Sequence, residues 1–323
     1  MIHDIAIVLP AFGPSDRALL GLAGAARTLV AANGGRVSVV VVGPSADTAS
    51  QTIAPYVDRV LMLSHPLLAD YQPERLLAVI ADTCKAIDAG TVLLGGDTYS
   101  QELTPRLAHR LGGVAASDAI ALNIADGSVE VRRAVYGGKA EAVFRLRAQP
   151  AVVWIRARGF APPAPLDQPA SPEVVAVDPP SAAPTRIVER STEATGAVRL
   201  EDAPRIVAGG RGIGGAEPFT LLRQLAQAIG AQLAATRAPC DAGWVPASWQ
   251  VGQTGKKVAP ELYLAIGLSG SSQHLLGISD AKVIAAINTD PEAPIFKHSQ
   301  FGLVEDFRKA VPLLCEKLTA LSR

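Results

Sequence analysis

The chain has 323 residues, 49% hydrophobic and 19% charged, which is enough apolar material for two cores and excludes a largely disordered protein. Thirty Lys and Arg balance thirty Asp and Glu, so the positive field that concentrates nucleic acid or anionic lipid is missing, and neither is expected as a partner. Cys84, Cys240 and Cys315 have no paired or metal-ligand spacing, no signal-peptide pattern is seen, and no apolar run is long enough for membrane insertion, so a cytoplasmic protein with reduced thiols and no metal site is expected.

Along the first half, Val- and Ile-rich runs alternate with helical patterns. "IAIVLP" precedes a helical stretch over 17–32, "VSVVVVG" a short amphipathic segment, "DRVLMLS" a stretch over 73–89, and "TVLLGG" one over 101–111. This alternation predicts βαβ units on a parallel sheet. From Asp118 to Arg158 short strands with turn signals at Asp126-Gly127 and Gly137-Gly138 suggest an antiparallel edge or meander. Eight of the 24 prolines then fall between Pro162 and Pro184, and a segment poor in backbone donors reads as an extended linker or surface strap. The expected domains are 1–184, including a Pro-rich linker over about 160–184, and 185–323.

The second half restarts with "RIVAGG", then "GRGIGG" (210–215), then a helical pattern over 217–229. Gly210, Gly212 and Gly215 have the spacing that lets a pyrophosphate approach the start of a helix. However, the next run, "AQLAAT", leads to Thr236 and Arg237, not to the acidic ribose ligand of NAD-binding folds. An NAD-linked dehydrogenase subunit using 210–215 is therefore the alternative reading. Further polar loops follow apolar runs: "TRAPCDAGW", "QVGQTG" (250–255), "SGSSQH" (269–274) after "LYLAIG", and "INTD" after "KVIAA". Loops at the carboxyl ends of parallel strands define one crevice. Their Gly, Ser, Thr, Gln and Asn, with one Arg and one His and no carboxylate cluster, suit a large phosphate-bearing cofactor better than acid/base hydrolysis. A hydrolase reading on Ser269, His274 and Asp241 lacks the second glycine of Gly-x-Ser-x-Gly. His3, His65, His109 and His298 have no metal-ligand spacing and are taken as structural.

From Thr236 to Phe296, "TRAPCDAGWVPASWQVGQTGKKVAPELYLAIGLSGSSQHLLGISDAKVIAAINTDPEAPIF" resembles the FAD-binding core of the alpha subunit of electron transfer flavoproteins, with "GGRG" upstream and "GLVEDF" downstream. "LLGGDTYSQELTPRLAHRLGG" and "VYGGKAEAVFRL" extend a looser resemblance over the first half. Ser271-Ser272 stand where that family usually has Ala-Ile, and Thr289 where it often has Lys.

The resemblance implies an α/β protein, with an amino-terminal Rossmann-like parallel-sheet domain and a carboxyl-terminal FAD-binding α/β domain. It implies an electron carrier without substrate turnover of its own, paired with an electron transfer flavoprotein beta subunit that usually holds AMP. Electrons would arrive from flavin dehydrogenases such as acyl-CoA dehydrogenases and leave to a membrane quinone oxidoreductase. It places Val251, Gly252, Gln253 and Thr254 against the isoalloxazine and ribityl chain, with the Thr254 hydroxyl at flavin N5. Arg237 would lie beside the ring as a permanent cation that favours its reduced anionic form, and His274 would donate to the C2 carbonyl. Arg211, Thr236, Ser269, Gly270, Ser271, Ser272 and Gln273 would meet the phosphates and nearby sugar, Asn288 the adenosine half, and Asp306 with Phe307 the adenine end. Without the resemblance, Arg237 reads as a surface cation, Thr254 as a turn residue, His274 as a packed or capping histidine, and Asp306, in a helical run over 303–321, as a helix-dipole partner.

Overall fold

The computed structural model describes residues 4–12, 18–136, 140–189 and 199–321, and the chain forms two compact units divided between Ser191 and Thr192. In chain order the first contains β1 (Asp4–Pro10), α1 (Ala18–Asn33), β2 (Val37–Val42), α2 (Ala46–Ile53), β3 (Arg59–Ser64), α3 (Pro73–Ala86), β4 (Ala89–Leu94), α4 (Thr98–Leu111), β5 (Val114–Ala125), β6 (Ser128–Val135), β7 (Ala140–Leu146), β8 (Ala151–Ile155) and β9 (Pro172–Ala176). They build one nine-stranded sheet in the order β7-β6-β5-β8-β4-β1-β2-β3-β9, antiparallel only at β5–β6 and β6–β7.

Period-two alternation sorts the strand residues between two helical layers. Ile5, Ile7 and Leu9 of β1 pack with Leu22, Ala26 and Leu29 of α1 and Ile53 of α2. Ala6 and Val8 face the other way, onto Leu76 and Ile80 of α3 and Leu103 and Leu107 of α4. Local signals set the helix ends. Asp97 accepts from the Ser100 backbone N–H at 2.9 Å at the start of α4, and Gly112, at φ +71°, ends it. The meander expected over 118–158 is present, and Asp126 and Gly127, both at positive φ, form its first turn; Gly137-Gly138 lies outside the described residues.

Of the two readings of the Pro-rich stretch, linker or surface strap, the contacts of residues 166–181 are those of a strap. Backbone N–H groups of Leu166 and Ala170 donate to Pro55 and Ala54, Arg75 donates to the Pro180 and Ser181 carbonyls, and β9 adds a parallel edge strand to β3. Pro172 is the first residue of β9, a position a proline tolerates on an edge strand.

The second unit contains β10 (Arg205–Gly209), α5 (Phe219–Ala228), β11 (Gln232–Ala235), α6 (Arg237–Asp241), β12 (Leu262–Ile266), α7 (Ser272–Leu275), β13 (Val283–Asn288), β14 (Phe301–Val304) and α8 (Phe307–Leu321). Its sheet is wholly parallel, ordered β11-β10-β12-β13-β14. Leu303 and Val304, expected within the last helix, are strand residues, and the helix begins at Phe307. On one face Val207, Ile266 and Ile287 pack against Phe219 and Leu222 of α5 and Val311 of α8. The opposite face, carrying Ile206, Tyr263, Ala265 and Ile284, is covered by Val251, Val258, Leu268, Ile278 and Ile295, which lie outside the α-helices and strands.

Gly21 and Gly24 of α1 lie against the backbone carbonyls of Ala157 and Ala161, on which an added Cβ would collide. Gly21→Ala is therefore expected to cost about 1–3 kcal/mol by overpacking. Gly159→Ala, where a Cβ would meet nothing within 4 Å, should stay within about 0.5 kcal/mol of the parent. Urea unfolding midpoints of the two variants check the contrast.

Candidate functional site

In the second sheet the chain leaves β10 for β11 on one side and later returns to place β12 on the other, so the strand order reverses between β10 and β12. Open α/β sheets bind ligands outside the carboxyl ends of the strands at such a point. Connections after β10, β11, β12, β13 and β14 all reach this edge, and backbone hydrogen bonds tie them together. Gly210 and Gly212 donate to Ile266 and Gly267, Gly267 to Ile287, Thr236 to Gly209, Val251 to Ala235, Gln253 to Gln273, and Ile295 to Ser269, all within 2.7–3.0 Å.

The glycines permit these approaches. A Cβ on Gly210 would strike Gly267 and Leu268, one on Gly212 would lie 2.8 Å from the Gly267 carbonyl oxygen, and one on Gly277 would strike the backbone of Gly252. Gly252 itself sits at φ +145°, a conformation L side chains rarely adopt. In "QVGQTG" and "GRGIGG" alike, glycine brings protein loops against one another. The Gly-x-Gly-x-x-Gly spacing also fails to open a helix: residues 211–213 form a single 3-10 turn and α5 starts only at Phe219, so the helix-end pyrophosphate site of the NAD-linked alternative does not form.

Arg211, Arg237, Gln253, Thr254, Ser269, Ser271, Ser272 and Gln273 are exposed along this edge, and Thr236, Asn288 and Asp306 are half-buried. Arg237 pairs with Asp241 at 3.0 Å across one turn of α6. The Gln250 Nε2 donates to Thr254 Oγ1 at 2.9 Å, so Gln250 positions the threonine hydroxyl, a role the sequence reading passed over. Asn288 donates from Nδ2 to the Leu268 carbonyl and accepts at Oδ1 from the Asp290 N–H, which organises the loop after β12. Asp306 accepts at Oδ1 from the Arg308 N–H at 2.8 Å and caps α8.

Buried members of the expected set change role. Val251 and Phe307 are 1% and 5% exposed. The Phe307 ring belongs to the core with Val207 and Leu222 and has the Arg308 guanidinium 4.7 Å from its centroid, so in this arrangement the residue presents mainly its backbone at the sheet edge. Gly252 and Gly270 are likewise buried.

His274 differs most from expectation. It is 5% exposed, Nδ1 lies 3.0 Å from the Val251 carbonyl oxygen, and Nε2 lies 2.9 Å from the Tyr263 hydroxyl. A carbonyl oxygen only accepts, so Nδ1 carries the proton, and the Tyr263 hydroxyl donates to Nε2. Both ring nitrogens are spent inside the protein, leaving none for donation to an isoalloxazine carbonyl in this arrangement. Burial outweighs the Val251 hydrogen bond and pushes the imidazole pKa down to about 4. Neither the hydrolase triad nor a metal centre forms: the imidazole does not pair with Ser269, and among the described residues no three His, Cys, Asp or Glu side chains gather to hold a metal ion.

The family model described as "Electron transfer flavoprotein FAD-binding domain" matches residues 199–279, and that of the "Electron transfer flavoprotein domain" matches 14–182. The chain is 35% identical over 304 residues to an electron transfer flavoprotein subunit alpha from Thermoanaerobacterium thermosaccharolyticum, covering 92% of each. It is 35% identical to the one from Bacillus subtilis, covering 89% of each. It is 37% identical to the one from Paracoccus denitrificans, covering 88% of this chain and 91% of that one.

The depressed His274 pKa sets a pH dependence. Between its ordinary value of 6.5 and about 4, the unfolded chain takes up a proton that the folded chain refuses, so acidification destabilises the fold. The loss on passing from pH 6.5 to 4 is roughly 3 kcal/mol. The stability gap between the parent and His274→Gln should therefore narrow as pH falls through this window, as measured by urea unfolding at a series of pH values.

Proposed function

The chain belongs to the electron transfer flavoprotein alpha-subunit family, and from that premise we propose that it binds FAD at the carboxyl edge of the β10–β14 sheet. It does so within a heterodimer whose other member is an electron transfer flavoprotein beta subunit carrying AMP. Its electrons come from flavin dehydrogenases such as acyl-CoA dehydrogenases and go to a membrane quinone oxidoreductase. The observation that carries the FAD assignment is the convergence of hydroxyl, amide and guanidinium groups at the strand-order reversal, inside the segment matched by the FAD-binding family model.

The donor set fits the group. The Arg211 guanidinium suits phosphates, with Thr236, Ser269, Ser271, Ser272 and Gln273 beside it. Gln253, Thr254 and the backbone of Val251 and Gly252 would line the flavin and its ribityl chain, while Asn288, Asp306 and the backbone of Phe307 would hold the adenosine end. Bound FAD would supply reversible one- and two-electron chemistry. The chain's part is to orient and to tune. Thr254 Oγ1 accepts from Gln250, which leaves its own O–H proton to serve as a donor. Arg237 holds a permanent positive charge at the loop after β11.

Co-expressed with its beta subunit, the protein should purify yellow with about one FAD per heterodimer, and a flavin-free heterodimer would overturn the assignment. Arg237→Ala should lower the flavin potential. An exposed cation worth about 0.5–1 kcal/mol corresponds to roughly 20–40 mV for a one-electron step, and an unchanged redox titration would make Arg237 a surface cation only. Thr254→Val should keep FAD bound while shifting its potentials by a similar amount, since a net hydrogen bond contributes about 0.5–1.5 kcal/mol. Normal potentials with poor FAD retention would instead mark Thr254 as a turn residue.

A further inference from the structure

The geometry points to Tyr263 as a positioning residue of this site: its hydroxyl fixes His274 as a neutral imidazole protonated on Nδ1, and that imidazole clamps two ligand-facing loops together. This rests on the FAD reading only for the identity of the ligand, since the clamp is a property of the chain itself.

Tyr263 lies in β12 with its side chain fully buried among apolar residues of the loop-covered face, including Ile206, Val258 and Ile284. Its hydroxyl lies 2.9 Å from His274 Nε2. The imidazole in turn reaches Val251, the second residue of "QVGQTG", at 3.0 Å. His274 directly follows Ser271, Ser272 and Gln273, and its N–H donates to the Ser271 carbonyl at 2.9 Å. One ring therefore touches both the 250–255 loop and the 269–274 loop. Two backbone bonds run beside it, Gln253 N–H to the Gln273 carbonyl at 2.7 Å and Val258 N–H to the Gly277 carbonyl at 2.8 Å.

The proton inventory makes the hydroxyl necessary. With Nδ1–H committed to a carbonyl, the neutral ring has only an acceptor at Nε2, and an acceptor buried among apolar side chains needs a donor. Phenylalanine would preserve the packing of Tyr263 and leave that nitrogen unpaired. The ring would then lose its reason to keep this tautomer, and the 250–255 loop with Thr254 would lose its anchor at Val251.

The test uses the heterodimer with its beta subunit, labelled with ¹⁵N-histidine. Long-range ¹H–¹⁵N correlation, with His274 assigned by its loss in His274→Gln, should show a neutral ring protonated at Nδ1 throughout about pH 6–8. A ring protonated at Nε2 or at both nitrogens would overturn the proposal even if no variant can be made. In Tyr263→Phe the His274 signals should move toward a mixture of tautomers, and FAD should dissociate about tenfold faster, the cost of one unpaired buried acceptor. In a His274→Leu background Tyr263→Phe should add little further loss of FAD, because its effect runs through the imidazole. Additive losses, or unchanged His274 signals in Tyr263→Phe, would reduce Tyr263 to a packing residue. A flavin-free heterodimer would sink the FAD reading and leave the tautomer measurement to decide the clamp.

Discussion

Buried backbone groups need partners, and on one face of the β10–β14 sheet the segments that must supply them are irregular. A helix satisfies its own N–H and C=O groups; a coil segment buried against a sheet has to find acceptors and donors in other coil segments. The hydrogen bonds from Gly212, Gln253, Val258 and Ile295 to neighbouring loops, and from Gly210 and Gly267 to the ends of β12 and β13, meet that requirement. So does the imidazole of His274 on the Val251 carbonyl. The glycines follow from the same requirement, because loops that exchange backbone hydrogen bonds must approach more closely than side chains allow. The outcome is a platform of loops held by one another, from whose upper edge the polar side chains project.

The first unit shows what the same principle gives when helices cover both faces. Its sheet also reverses strand order, between β1 and β4, so its topology offers a comparable crevice. At that end Phe12, Tyr71 and Tyr99 pack on one another, with ring centroids 4.3–5.7 Å apart. The Tyr71 hydroxyl donates to Glu102, and partial burial with that carboxylate raises its pKa. Related topologies thus present aromatic rings in one unit and hydroxyls, amides and guanidinium groups in the other. The difference lies in the loops, which the sheet order does not dictate.

Local patterns carried much of this fold. The alternation of β-branched runs with helical stretches located β1 to β4 and their helices, because period and composition are properties of neighbouring residues. The runs that form β10 to β13 are legible for the same reason, whereas β14 is not. β9 was not, since a five-residue strand beginning at Pro172 inside a Pro-rich stretch carries little strand signal. The last helix was started too early because "FGLV" is apolar enough to continue its pattern, whereas Asp306 holds the cap. At the site, composition marks the polar loops, while the roles expected of their individual residues come from the family resemblance. What escaped were long-range pairs: Tyr263 with His274, the Phe307 ring with Val207 and Leu222, and Gly210 with Gly267. None has a local signature, because each depends on which loops the sheet order brings together.

The loop platform and the side chains it carries have different physical demands. Frame residues such as Gly252, Gly277, Val251, Tyr263 and His274 are buried and mutually determined, so altering one moves its neighbours. Arg237 and Asp241 are 68% and 59% exposed, and Gln253, Thr254 and the serines of 269–272 are exposed too. In water such groups gain little from one another. They become strong only where a bound ligand or partner excludes solvent and lowers the local dielectric. On the FAD reading proposed above, affinity would come largely from the preorganised frame and redox tuning from side chains that are weakly held until the site is filled. By the same separation, a substitution at the exposed Ser271 or Ser272 leaves the glycine contacts and the buried imidazole beneath them untouched.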